Sequence, residues 1–241
     1  MHYVLSDIHG CCEEYLELLE KISFGEEDIL YVLGDVCDKG PCPVRVLQDM
    51  MRRKGIRPVM GNHDLAALRS LRKLGDAVTR EDYRSVLRKK DRLDFAYWYK
   101  DGGYTTFDEF RELPAAEREK ILAYLDSFSF WEKVSVGAKT YVLVHAGIRG
   151  YKEGMALENI SPADFLFYRT NYDRPVFRDP SVILVTGHTP TFLVRPDRQS
   201  LVYETEGHLG IDCGCVYGGK LAAVCLETGR IFYAPARRTS L

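Results

Sequence analysis

With 241 residues, 46% of them hydrophobic and 28% charged, the chain can bury a substantial core and has the polarity of a soluble globular protein. Its net charge of −2 supplies no overall basic field, which disfavours non-specific nucleic-acid binding. No apolar run reaches the roughly 18 residues of a membrane helix, so no membrane partner is expected.

The first apolar run, residues 3–5, stops at Ser6-Asp7 and has no basic leader before it; a cytoplasmic location is expected. Residues 13–22 then repeat apolar side chains at helical spacing: Tyr15, Leu16, Leu18, Leu19 and Ile22. A second run, residues 29–33, stops at Gly34, and Pro43 opens a helix carrying Val44, Val46, Leu47, Met50 and Met51. The third run, residues 56–60, stops at Gly61 and leads into a helix from Leu65. Strands alternating with helices predict a largely parallel sheet. Residues 69–130 are dense in charge and bring Phe95, Tyr97, Trp98 and Tyr99 before a Gly102-Gly103 break. They are predicted as a helical insertion over one edge of a single domain covering residues 1–241. Further strands are predicted at 140–145, 181–186, 201–204, 220–226 and 230–233, and their hairpin-like spacing predicts a mixed or antiparallel sheet.

Seven cysteines are an odd count for a disulfide framework, and none stands in a paired CxxC arrangement, which fits reduced thiols. Cys213-Gly-Cys215 is read as small buried residues at a strand end rather than a metal motif. Cys37 and Cys42 are read as inert.

The apolar runs end in similar clusters: Asp7-Ile8-His9-Gly10, Gly34-Asp35, Gly61-Asn62-His63-Asp64, His145-Ala146-Gly147 and Gly187-His188-Thr189-Pro190. Loops that follow parallel strands converge on one sheet edge, where ligands bind. Four of the six histidines fall in these clusters, with only His2 and His208 outside. Carboxylates, imidazoles and one amide oxygen are the donors of a two-metal site for borderline or hard divalent ions. Asp7 and His9 can point to one metal, Asp35 can bridge, and Asn62, His145 and His188 can complete the second. Such a pair, roughly 3.5–4 Å apart, clamps the attacking and leaving oxygens of a phosphate.

The same set of motifs, with Asp38 and Gly40 following Gly34-Asp35, resembles the phosphoprotein phosphatase family of metallophosphoesterases over nearly the whole chain. That resemblance implies an α/β fold: a four-layer β-sandwich of two mixed sheets flanked by helices. It implies Asp7, His9 and Asp35 on the first metal, and Asp35, Asn62, His145 and His188 on the second. Manganese is the expected metal, with iron or zinc as alternatives. It further implies attack by a metal-bridging hydroxide, His63 as the general acid, and Asp38 holding its imidazole. Asp64, where many relatives carry glutamate, is expected to give support behind the metals.

Lys39 stands where the family's familiar residue is arginine, and with Asn62 is expected to meet the substrate phosphate. It keeps the charge but loses the planar fork. Arg169 matches a phosphate-gripping arginine between the two late histidines, with Arg149, Arg174 and Arg178 as alternatives. Asp212 is read as a turn acid, and the Trp98 to Gly102-Gly103-x-x-Thr106 segment as structural. Resemblance of the C-terminal motifs to bacterial members puts a serine/threonine protein phosphatase acting on phosphoproteins first. Lys39 and Gly-Asn-His-Asp keep a symmetrical bis(5'-nucleosyl)-tetraphosphatase, acting on dinucleoside polyphosphates, as the alternative.

Overall fold

Two five-stranded sheets carry the chain in this computed structural model, which describes residues 1–237; the predicted limit at residue 241 lies outside the described residues. In the first sheet β1 (His2–Leu5), β2 (Ile29–Leu33) and β3 (Ile56–Val59) run parallel, as their alternation with helices predicted. The second sheet runs β4 (Trp131–Val136), β5 (Lys139–Val144), β6 (Val182–Thr186), β8 (His208–Gly210), β7 (Tyr203–Thr205). Its three central strands are parallel and its two outer strands antiparallel.

The expectation that the tail strands form one sheet is corrected. The hairpin β9 (Lys220–Cys225) and β10 (Ile231–Pro235) returns to the first sheet, where β9 pairs antiparallel with β1. Two strands had no sequence signal. In β4, Glu132 and Lys133 interrupt an edge strand that is mostly half-exposed. β8 has only three residues, too few to show a period.

Side-chain alternation divides the core. Val4, Leu33 and Val59 of the first sheet face Leu143, Val185 and Leu209 of the second across the sandwich. Their neighbours Tyr3, Leu5, Leu30 and Val32 point the other way, onto helices α1 (Cys12–Lys21) and α2 (Pro43–Arg52). Complete burial of a side chain such as Leu5 or Leu30 is worth about 1.5–3 kcal/mol, so both faces of this sheet are strongly held. Val142, Val144 and Leu184 cover a third cluster with Phe165 of α7 (Pro162–Leu166). Cys213 and Cys215 separate into different clusters, so the CxC pair is core filling, as read from sequence.

Between β3 and β4 lie α3 (Asn62–Leu74), α4 (Lys89–Trp98), α5 (Tyr104–Arg111) and α6 (Ala115–Asp126). Among the described residues no helix is long and apolar enough to cross a membrane.

His208 makes an uncommon demand on this core. It is 1% exposed, stacks on Tyr172 at 4.2 Å, and has one ring nitrogen 2.8 Å from Thr186 Oγ1. Burial pulls its pKa down to about 4. As pH falls below the unfolded value near 6.5, the unfolded chain gains a proton that the folded chain refuses. Stability is therefore lost as pH drops toward 4, by up to about 3 kcal/mol at this residue. His208→Gln should flatten that part of the pH dependence, read by urea denaturation from about pH 7 down to about pH 4. Parallel pH profiles for the two proteins would refute the assignment.

Candidate active site

Five parallel-strand ends deliver the predicted clusters to one edge. Asp7 and His9 follow β1, Asp35 follows β2, Asn62 and His63 open α3 after β3, and His145 and His188 follow β5 and β6. The turns are tight. Of eight non-glycine residues with positive φ among the described residues, six are Asp7, His9, Asp35, Asp38, Lys39 and His188. Such conformations cost about 1–3 kcal/mol each and concentrate where function demands a fixed geometry.

Asp64 supplies much of that fixing. Its buried carboxylate accepts the N–H groups of Asp35, Val36, Cys37 and Gly61 at 2.8–3.0 Å. One side chain thus ties the loop after β2 to the start of α3. The support expected from sequence is a backbone clamp.

Hydrogen bonding also fixes which face each imidazole presents. His9 Nδ1 lies 2.8 Å from the Cys37 carbonyl, and His145 Nδ1 lies 2.8 Å from the Leu33 carbonyl. Carbonyls only accept, so each Nδ1 carries the proton and each Nε2 turns a lone pair to the cleft. Asp35 lies between them, Oδ2 3.5 Å from His9 Nε2 and Oδ1 3.5 Å from His145 Nε2. Asn62 Oδ1 is 2.9 Å from His145 Nε2. Lone pairs from an imidazole, a carboxylate and an amide oxygen converge there, an arrangement that a cation satisfies.

In the cleft two groups have ligand atoms within 4.8 Å of one another: His9, Asp35 and His63, and Asp35, His145 and His188. Asp35 belongs to both, the position of a bridging carboxylate. Asp7 lines the same cleft, but its carboxylate is engaged by the Ser6 hydroxyl and by the His188 N–H at 2.9 Å. The tight first group therefore closes on His63 rather than on Asp7. Burial pushes His9 and His188 down to about 3, leaving neutral rings with available lone pairs. Burial, followed by the charges of Asp212 and Asp35, drives Asp7 well above the usual carboxylate range. A crowd of buried acids beside neutral imidazoles is the donor chemistry of divalent metal ions, and these residues fit such ions.

His63 is held differently. Its Nδ1 is 2.8 Å from Asp38 Oδ2, and its Nε2 faces the cleft, 2.8 Å from Lys39 Nζ. Asp38 is fully buried and also accepts from Trp98 Nε1 at 2.9 Å and from Thr106 Oγ1 at 2.7 Å. Burial opposes a charge on His63, but Asp35 and Asp38 outweigh it and raise its pKa above the ordinary imidazole value. The segment read as structural, with a place at the substrate cleft left open, is the support of this pair and brings Asp101 to the cleft lining. Between these two residues the helix breaks at Gly102, φ +98°, whose carbonyl accepts the Lys39 N–H at 3.0 Å. A Cβ on Gly102 would stand 2.6 Å from Lys39 Cγ, so only glycine lets the two segments approach.

Lys39 Nζ also lies 3.1 Å from His9 Nε2, and Asp101 Oδ2 lies 3.7 Å from His63 Nε2. Arg169 lines the cleft and donates to Thr189 Oγ1 at 3.2 Å, whereas Arg149, Arg174 and Arg178 are not among the lining residues. Asp212, at the end of β8, accepts the Gly214 N–H at 2.8 Å as a turn acid does, yet it also lines the cleft. Burial pushes it up to about 7. The turn reading captured only half of its position.

A family model described as calcineurin-like phosphoesterase matches residues 3–227. The chain belongs to the calcineurin-like phosphoesterases. It is similar to the asymmetrical bis(5'-nucleosyl)-tetraphosphatase PrpE of Halalkalibacterium halodurans, 28% identical over 263 residues, covering 98% of this chain and 94% of the relative. It is also similar to the symmetrical bis(5'-nucleosyl)-tetraphosphatase of Erwinia tasmaniensis, 24% identical, with coverage of 98% and 97%. A solved structure of a candidate diadenosine tetraphosphatase, 21% identical, matches with a TM-score of 0.66 over 99% of this chain and 94% of that one, a likeness of fold alone. As a calcineurin-like phosphoesterase the protein is a metallophosphoesterase, with the expected two mixed sheets flanked by helices. Of the resemblance to phosphoprotein phosphatases only the broader family is shown, and the two curated relatives are named as bis(5'-nucleosyl)-tetraphosphatases.

Proposed function

We propose that this metallophosphoesterase hydrolyses dinucleoside tetraphosphates symmetrically, in place of the protein phosphatase reading that the sequence put first. What supports the proposal is near end-to-end similarity to bis(5'-nucleosyl)-tetraphosphatases, among them symmetrical ones 24% and 28% identical, joined to a cleft of about 430 Å³ lined by Lys39, Arg169 and the imidazole–carboxylate groups. Lysine at position 39 provides a compact cation suited to a chain of phosphates rather than a planar fork for one of them.

By the family resemblance the donor set would divide as Asp7, His9 and Asp35 on one side and Asp35, Asn62, His145 and His188 on the other, Asp7 taking the place that His63 holds in the tight first group. Two divalent cations in it, manganese as the leading choice, supply water activation and offset of phosphate charge. The remaining work belongs to the chain. Lys39, Arg169 and the Asn62 amide bind phosphate oxygens, and the Lys39 ammonium moves off the imidazoles to do so. His63 Nε2 gives its proton to the leaving oxygen. Asp38, fixed by Trp98 and Thr106, keeps that ring in the proton-donating orientation and stabilises its charged form.

The test compares diadenosine tetraphosphate with phosphoserine and phosphothreonine peptides at matched concentrations on manganese-loaded protein. The nucleotide should be cleaved with a kcat/KM at least about 100-fold higher, giving two ADP. ATP plus AMP would replace the symmetrical with the asymmetrical reaction. Faster release of phosphate from the peptides would restore the protein phosphatase.

A further inference from the structure

The cleft has a second chemical character beside its polar floor. Pro190, Phe192, Leu193 and Tyr217 form one of its walls, and none takes part in the phosphate chemistry above. Tyr217 is 59% exposed and Leu193 49%, high values for large apolar side chains at a cleft that must repel neither water nor phosphate. We propose that this wall is a nucleoside subsite on which one base of the substrate stacks against Tyr217; this deepens the dinucleotide reading and rests on it.

Three observations carry the assignment. The wall is continuous with the reacting centre, since Lys39 Nζ lies 5.7 Å from the Tyr217 ring centroid and within 3.1 Å of two imidazole nitrogens of the floor. A phosphate held by Lys39 therefore has its nucleoside directed along the aromatic face rather than into solvent. The wall is also built before any ligand arrives. Tyr217 ends the turn Cys215–Tyr217 between Gly214 and Gly218, both left-handed, and its N–H donates to the Gly214 carbonyl at 3.0 Å. Buried Cys215 anchors that turn from below. Phe192 packs so closely on Gly214 that a Cβ there would stand 2.4 Å from the ring, which locks the two halves of the wall together.

The chemistry of the wall also selects among ligands. Its side chains present a flat aromatic surface and an aliphatic shoulder, with Lys39 5.7 Å from the Tyr217 ring centroid and Arg198 donating to the Leu193 carbonyl at 2.6 Å. A base offers a π-face of matching shape whatever its sequence, and stacking of that kind is worth about 1–3 kcal/mol per base. A phosphopeptide's extended backbone would leave its amide groups against apolar carbon here, at a cost for each one unpaired.

Calorimetric titration of the manganese-loaded protein tests the subsite with two probes: ADP, and methylenediphosphonate, which carries two linked phosphorus groups without a nucleoside. The wild type should bind ADP about tenfold more tightly than methylenediphosphonate. Tyr217→Ala should reduce that ratio to near one, and Tyr217→Phe should keep it. A ratio near one in the wild type, or one that survives Tyr217→Ala, overturns the subsite. Turnover of diadenosine tetraphosphate by the wild type reads the substrate assignment separately. Tyr217-dependent preference for ADP without turnover would keep the subsite and remove the reaction; turnover with Tyr217-independent binding would do the reverse.

Discussion

His63→Asn should lower kcat on diadenosine tetraphosphate by about a hundred- to ten-thousand-fold while leaving bound manganese near the wild-type amount. The reason is the division of roles among the imidazoles. His9 and His145 spend Nδ1 on backbone carbonyls and turn bare Nε2 atoms inward, whereas His63 spends Nδ1 on a buried carboxylate. A carboxylate partner favours the protonated ring, which suits an acid better than a ligand. Asparagine keeps a polar side chain of similar reach to Asp38 but has no proton to give. The loss should be of similar size on p-nitrophenyl phosphate, whose leaving oxygen is about as weak a base as that of a nucleoside diphosphate, and larger on an alkyl phosphate such as phosphoserine, whose alkoxide needs the proton most. Steady-state kinetics and elemental analysis on the same preparations decide the point. Because His63 Nε2 also stands within 4.8 Å of the ligand atoms of His9 and Asp35, loss of metal would make His63 a ligand and leave the acid to be found elsewhere.

Removal of the metals should have the other large effect, on stability as well as on rate. Without cations the buried acids Asp7, Asp35 and Asp212 oppose one another, with the Lys39 ammonium close to two of the surrounding imidazoles. Dialysis against a chelator should abolish turnover and lower the melting temperature by about 5–10 °C, and manganese at about a hundred times its Kd should restore both. Asp35→Asn should remove most of that manganese-induced shift, since Asp35 serves both donor groups. Melting followed by scanning calorimetry reads this independently of catalysis. Full activity after metal removal, or an undiminished shift in the variant, would remove the two-metal assignment.

Much of the candidate site was legible because its potential metal donors punctuate apolar runs. A strand needs only a few residues to show where it stops, and in a parallel sheet the stops share an edge, so Asp7, Asp35, Asn62, His145 and His188 could be grouped without coordinates. The grouping could not say which nitrogen faces the cleft, because that depends on carbonyls of Leu33 and Cys37 that have no sequence signature. Asp38 was named only through the family resemblance, and its other partners, Trp98 and Thr106, come from a segment whose aromatic and glycine pattern also describes ordinary helix packing. Asp212 shows the same limit from another direction. Its strand, β8, is three residues long, so nothing marked it as a sixth strand end, and its local turn bond hid its place beside Asp7. The sheet order failed for a related reason: periodicity assigns strands, while the pairing of β9 with β1 is a long-range choice.

The contact between Gly102 and Lys39 sets a boundary for anyone redesigning this protein. Helices inserted between strands look removable, and a minimal scaffold of two sheets would be the obvious economy. Here excision of α4, α5 and the Gly102 turn between them would take away both side chains that donate to Asp38 and the carbonyl that accepts the Lys39 N–H, while Asn62, at the start of α3, and the other proposed metal donors stayed in place. On the proposed roles, the trimmed molecule would keep its candidate metal donors and lose the order around His63. The Tyr217 wall comes from the far end of the sequence and makes none of the hydrogen bonds to Asp38 or to the Lys39 backbone, meeting only the Lys39 ammonium. Altered substrate preference can therefore be sought there by mutation, while the inserted helices are best left intact.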